Sequence, residues 1–123
     1  MRRIYFSLSV GIMALGVVHI ASTPRFFTEL TNAAVWFAGG GLAIILTGAL
    51  NLLRRAYGHL APGLRLVCVA ANAVMTGFAV LASYVGGASA LEVLVVFGLV
   101  GGATVLSLLP SAQHSASRPV AGA

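Results

Sequence analysis

The chain has 123 residues, 59% of them hydrophobic and only 7% charged, with a formal charge of +5 and a mean hydropathy of +1.02. A soluble domain carries roughly 25% charged residues, so this composition cannot coat a water-soluble core with polar groups. It also excludes a soluble catalytic or nucleic-acid-binding domain, because little chain remains between four long apolar runs that carry charge only at their edges.

In chain order, Met1-Arg2-Arg3 precedes the first run, Ile4–Ala21. A signal-peptide core is about 7–15 residues. This run is longer, and nothing after it reads as a secreted domain, so it is expected to be an uncleaved membrane helix. Tyr5, Ser9, Ile12, Gly16 and His19 recur at steps of four and three and define one face of it. Thr23-Pro24 fits an N-cap followed by a first helical position. The second helix is therefore expected to begin at Pro24 or by Leu30 and to run to Leu53. Asn32, Trp36, Gly39, Ala43, Thr47 and Asn51 mark its expected inner face. Gly39-Gly40-Gly41 implies either close helix approach or a void beside Trp36 for a planar or lipid-like ligand.

Pro62-Gly63 breaks the chain before the third run, Leu64–Val85, whose Cys68, Asn72, Thr76, Ala79 and Ser83 share a face. Asn72 lies about 12 Å into that helix at 1.5 Å per residue. It is expected to face inward and to bond a hydroxyl of Ser9, Thr47 or Thr104, or a backbone carbonyl. Gly86-Gly87 ends the helix. Ser89-Ala90-Leu91-Glu92 matches a capping box that opens the fourth run, Ala90–Leu109. Gly98 and Gly102 have GxxxG spacing, and Pro110 stops the helix. Ser111–Ala123 is expected to be a flexible cytoplasmic tail beyond a single membrane domain of residues 1–110.

Each run is long enough to cross about 30 Å of hydrocarbon. The expected fold is thus all-α, a four-helix transmembrane bundle. Arg2, Arg3, Arg54, Arg55, Arg65 and Arg118 fall on one side, and Arg25 on the other with Glu29 and Glu92. Positive charge resists translocation, so both termini are expected in the cytoplasm. Arg as the sole basic residue type, with abundant Ala, Gly and Val, suggests a bacterial source and hence its inner membrane.

Three functions compete. The leading expectation is an accessory, structural or oligomerising subunit of a membrane assembly, surrounded by lipid and paired with itself or a larger complex. The second is a ligand-, cofactor- or metal-binding protein or enzyme with an outer-face site at His19, Glu29, Trp36 and Glu92. Ionisable groups at membrane depth point to function. Structural roles compete with it: Glu92 completes the capping box, Glu29 sits near a helix N-terminus, and His19 can satisfy a terminal carbonyl. Zinc needs three or four ligands, which His19, Glu29 and Glu92 could just supply. Haem needs an axial ligand such as His19, with Met13 or Met75 as a partner. The third is a small transporter. In size and span count the chain is similar to the small multidrug resistance proteins, whose first helix carries a mid-membrane acid. Gly11–Gly16 holds none, which leaves proton exchange without a carrier residue. Single Cys68 permits no intrachain disulfide.

Overall fold

Hydrocarbon supplies no partner for a backbone N–H or C=O, so an apolar run that enters it must close its own hydrogen bonds as a helix. The computed structural model describes residues 2–109 and follows this rule. Four helices are long and apolar enough to cross a membrane: α1 (Arg2–Phe26), α2 (Asn32–Tyr57), α3 (Pro62–Gly86) and α4 (Ala90–Leu108). They run alternately up and down. Each packs on its chain neighbours, and α4 returns against α1 to close the bundle. No strand occurs among the described residues. Pro110 and the tail expected at Ser111–Ala123, with His114 and Arg118, lie outside them.

The caps were largely legible. Ser89 and Glu92 form the expected capping box, with Ser89 N–H donating to Glu92 Oε2 at 2.8 Å. Gly87 ends α3 in the left-handed conformation, φ 62°. The α1–α2 connection differs from expectation. Thr23-Pro24 does not start the second helix; it lies inside α1, which runs on to Phe26 rather than stopping at Ala21. Phe27 N–H still donates to the Thr23 carbonyl at 2.9 Å. Thr31 takes the capping role instead. Its backbone is extended, and its hydroxyl accepts from Ala34 N–H at 3.2 Å. A proline in the last turn of a helix forfeits one bond near an end where bonds are already few.

Close packing joins α1 to α2. A Cβ added at Gly16 would lie 2.7 Å from the Gly41 carbonyl oxygen, and one at Gly48 would lie 2.8 Å from that of Ser9. Ser9 thus faces Gly48 and Gly16 faces Gly41, each pair one heptad from the other along antiparallel helices. Of the three consecutive glycines only Gly41 makes such a contact. Gly40 faces the His19 ring, and Gly39 has nothing within 4 Å.

That heptad spacing also corrects the expected α2 face. The buried positions are Ala34, Gly41, Thr47, Gly48, Asn51 and Arg54, whereas Asn32, Trp36 and Gly39 are exposed. Steps of four from Gly39 to Asn51 drift about 40° each around a helix of 3.6 residues per turn. A heptad step nearly returns to the same line. The faces expected for α1 and α3 are the ones buried or half-buried.

In α4 a π-helical turn, Phe97–Gly101, interrupts the α-helix. Its wider turn takes Gly98 and Gly102 off one shared line. A Cβ added at Gly102 would lie 3.5 Å from Leu8, but one at Gly98 would meet nothing within 4 Å, so the expected GxxxG contact does not form among the described residues. Leu99 instead covers Gly11, and Val100 joins Ile12 and Ala103 in the apolar core with Met75 and Ile44 around it.

These contacts give a direct test. Gly41→Leu should separate α1 from α2 and destabilise by about 1–3 kcal/mol, whereas Gly39→Ala should be neutral or slightly stabilising through helix propensity. Thermal melts in detergent read both. Equal melting of Gly41→Leu and the parent would contradict the packing.

Candidate functional site

Below the Ile12 core, toward the end holding Arg3, Arg54, Arg55 and Arg65, all four helices contribute polar groups to one buried layer. Its centre is a reciprocal amide pair. Asn51 Nδ2 donates to Asn72 Oδ1 at 2.8 Å, and Asn72 Nδ2 donates to Asn51 Oδ1 at 2.9 Å. Both residues are 0% exposed. Asn51 Nδ2 also donates to the Thr47 carbonyl at 2.9 Å. Helix geometry places the pair at one depth: Asn51 is near the end of α2 and Asn72 near the start of antiparallel α3.

The other two helices join through side chains from the same level. Tyr5 Oη donates to Asn51 Oδ1, which also accepts from Cys68 Sγ at 3.0 Å. Arg54 is only 8% exposed. Its Nη1 donates to Tyr5 Oη at 3.4 Å, and its Nη2 donates to the Ser107 carbonyl at 2.8 Å. The guanidinium also lies 5.7 Å from the centroid of the Tyr5 ring. Higher in the bundle, the Thr76 and Thr104 hydroxyls are 2.9 Å apart.

Asn72 therefore faces inward as expected, but its partner is the Asn51 amide rather than a hydroxyl of Ser9, Thr47 or Thr104. Those hydroxyls each donate one turn back along their own helix: Ser9 to the Tyr5 carbonyl at 2.7 Å, Thr47 to Ala43 at 2.9 Å and Thr104 to Val100 at 2.9 Å. The sequence marks Arg54 only by its side of the membrane and Cys68 only by its place on the α3 face. The spacing of Asn51 and Arg54, three residues apart on α2, is the signal that joins Arg54 to the amide face.

The outer-face residues are arranged differently. His19 stacks on Phe37, ring centroids 4.0 Å and planes 17° apart, with Phe26 and Phe27 against the same ring. Glu29 is exposed in the α1–α2 connection. Glu92 is held by Ser89. Trp36 is 75% exposed, and the space beside Gly39 is open surface rather than a walled void. Among the described residues no three His, Cys, Asp or Glu side chains gather as a metal site, so the trio His19, Glu29 and Glu92 is not assembled. Met13 lies on Gly48, and Met75 lies against the Ile12 core. Both sites belong to the middle of the bundle, whereas His19 sits toward the C-terminal end of α1. As arranged, the buried layer can fix helix rotation and hold a charge at one end of the bundle.

A double-mutant cycle tests the amide pair. Asn51→Leu or Asn72→Leu leaves the other amide without a partner, a loss of about 1–3 kcal/mol. The double variant should lose less than the sum of the two. Insertion into membranes should survive in all three, and Cys68 should react faster with maleimide in each single variant than in the parent. Strict additivity would show that the pair does not couple. No protein-family model, curated protein or solved structure matches the chain, so what the layer does is a matter of its own geometry.

Proposed function

We propose that this chain is a multi-pass protein of a bacterial inner membrane, with both termini cytoplasmic, that serves as an accessory or oligomerising subunit of a membrane assembly. One observation carries this reading. A glycine in mid-helix costs up to about 1 kcal/mol relative to alanine. Gly16, Gly41 and Gly48 are needed by the α1–α2 contact, but Gly77 on α3 and Gly98 on α4 have nothing within 4 Å. In membranes such positions are where another helix approaches closely. The same two helices expose Val74, Phe78, Leu81, Leu94 and Val105. Two further facts agree with it. The polar side chains best suited to chemistry bond one another inside the bundle. Arg54, Arg55 and Arg65 gather at one end of the bundle, which supports a cytoplasmic placement of that end.

The protein extracted in mild detergent or native nanodiscs should run well above its 12.5 kDa mass. Gly77→Leu or Gly98→Leu should dissociate that assembly while leaving the thermal melt of the monomer close to the parent. A monomer under every mild extraction, or an assembly indifferent to both substitutions, would overturn the proposal. A cysteine placed at Ser89 should react with an impermeant maleimide from outside intact cells, and one placed at Ser115 should not.

One observation favours a second reading, a hydrophobic ligand with a polar group at the outer face. Thr23 Oγ1, one turn beyond His19, is buried with no hydrogen-bond partner among the described residues. An absorbance spectrum of protein purified from native membranes tests whether that ligand is a pigment. A visible band lost on His19→Ala supports a pigment there; a colourless preparation removes haem.

A further inference from the structure

A shallow groove opens at the Arg-rich end, between the first turns of α3 and the last turn of α4. Pro62, Arg65, Leu66, Val69 and Leu108 line about 300 Å³ of it. Its walls are apolar except for Arg65. Arg65 Nη2 donates to the Leu108 carbonyl at 3.3 Å, which uses one of the five guanidinium donors. The rest of this end is positive as well. Arg3, Arg54 and Arg55 lie there, and the two acids of the chain, Glu29 and Glu92, belong to the opposite end. The N-cap of α3, Ala61, offers no side-chain acceptor to the first N–H groups of the helix, whose dipole also favours an anion.

A free anion would meet the positive rim but leave the apolar walls bare. A neutral lipid would cover the walls but not answer the charge. The occupant that satisfies both is an anionic phospholipid. We propose that this groove binds one, with its phosphate at Arg65 and one acyl chain along Leu66, Val69 and Leu108. The proposal rests on the membrane placement above but not on the subunit role, so assembly and lipid binding are separable in experiment.

The test uses the full chain in neutral detergent, read by native mass spectrometry and thermal melting. The additions are phosphatidylglycerol, phosphatidylcholine or inorganic phosphate. Phosphatidylglycerol should be retained and raise the melting temperature, while phosphatidylcholine and phosphate alone should do neither. Arg65→Gln should weaken phosphatidylglycerol retention about tenfold, as expected for loss of one charge-assisted contact. Arg55→Gln removes the same charge at the same end, over the Phe6 ring, and should leave retention nearly unchanged. Equal retention of phosphatidylcholine, the same shift with phosphate alone, or an equal loss in Arg55→Gln would each overturn the proposal.

Discussion

A polar side chain between helices in hydrocarbon must bring its own hydrogen-bond partner, because neither lipid nor water supplies one. The Asn51–Asn72 pair meets that demand in a way few side chains can. Each amide has a donor and an acceptor, and the two close a ring of two bonds at 2.8 and 2.9 Å. The ring forms only when α2 and α3 present those faces at that depth. A one-residue rotation of either helix turns an amide about 100° toward lipid. Each bond contributes about 0.6–2 kcal/mol net in a membrane, whereas an unsatisfied amide there costs several. The pair therefore selects one arrangement more strongly than it stabilises it.

The bundle divides accordingly. The α1–α2 hairpin is held by shape: carbonyl oxygens of one helix sit where the Cβ atoms of Gly16, Gly41 and Gly48 would be. Such approach favours dispersion between backbones and leaves no room for other residues. Polar contacts also tie α3 and α4 to that hairpin, Asn72 to Asn51 and Arg54 to the Ser107 carbonyl, beside the apolar contact of Val100 and Ala103 with Ile12. The π turn belongs to this second half. It takes Gly98 off the inner line while Leu99 and Val100 still fill the core beside Ile12. In this second half Gly77 and Gly98 face outward, whereas Gly102 packs on Leu8.

Much of this was legible in the residues. Four apolar runs, the Ser89–Glu92 box and the left-handed glycine after α3 follow from local rules that a bundle does not override. The inward faces of α1 and α3 follow from steps of three and four. Three features were not legible, for different reasons. The α2 face obeys a heptad because α1 lies against it, so a stripe extended in steps of four drifted onto Asn32 and Trp36. The start of α2 was misplaced because Thr23-Pro24 satisfies a capping pattern that the helical backbone of α1 does not use. The π turn has no pattern of its own beyond a run of glycines. His19 and the two acids drew attention as the ionisable residues of their end, yet the structure gives them separate neighbours: an aromatic ring, open surface and a capping serine.

Arginine shows how one residue type serves two demands at once. Arg54 and Arg55 count equally toward orientation, but successive helical residues point about 100° apart. Arg55 turns outward over the Phe6 ring, 4.8 Å from its centroid. Arg54 turns inward, where a guanidinium can reach two elements together, Tyr5 Oη on α1 and the Ser107 carbonyl on α4. A lysine ammonium is a single point and lacks that fork. Ser107 and Leu108 lie in the last turn of α4, where carbonyls have no partner within their own helix. Arg54 from α2 takes the first and Arg65 from α3 takes the second. Two cations thus meet the negative end of the α4 dipole. The guanidinium charge at this end of the bundle thus also fastens the last helix to α2 and α3.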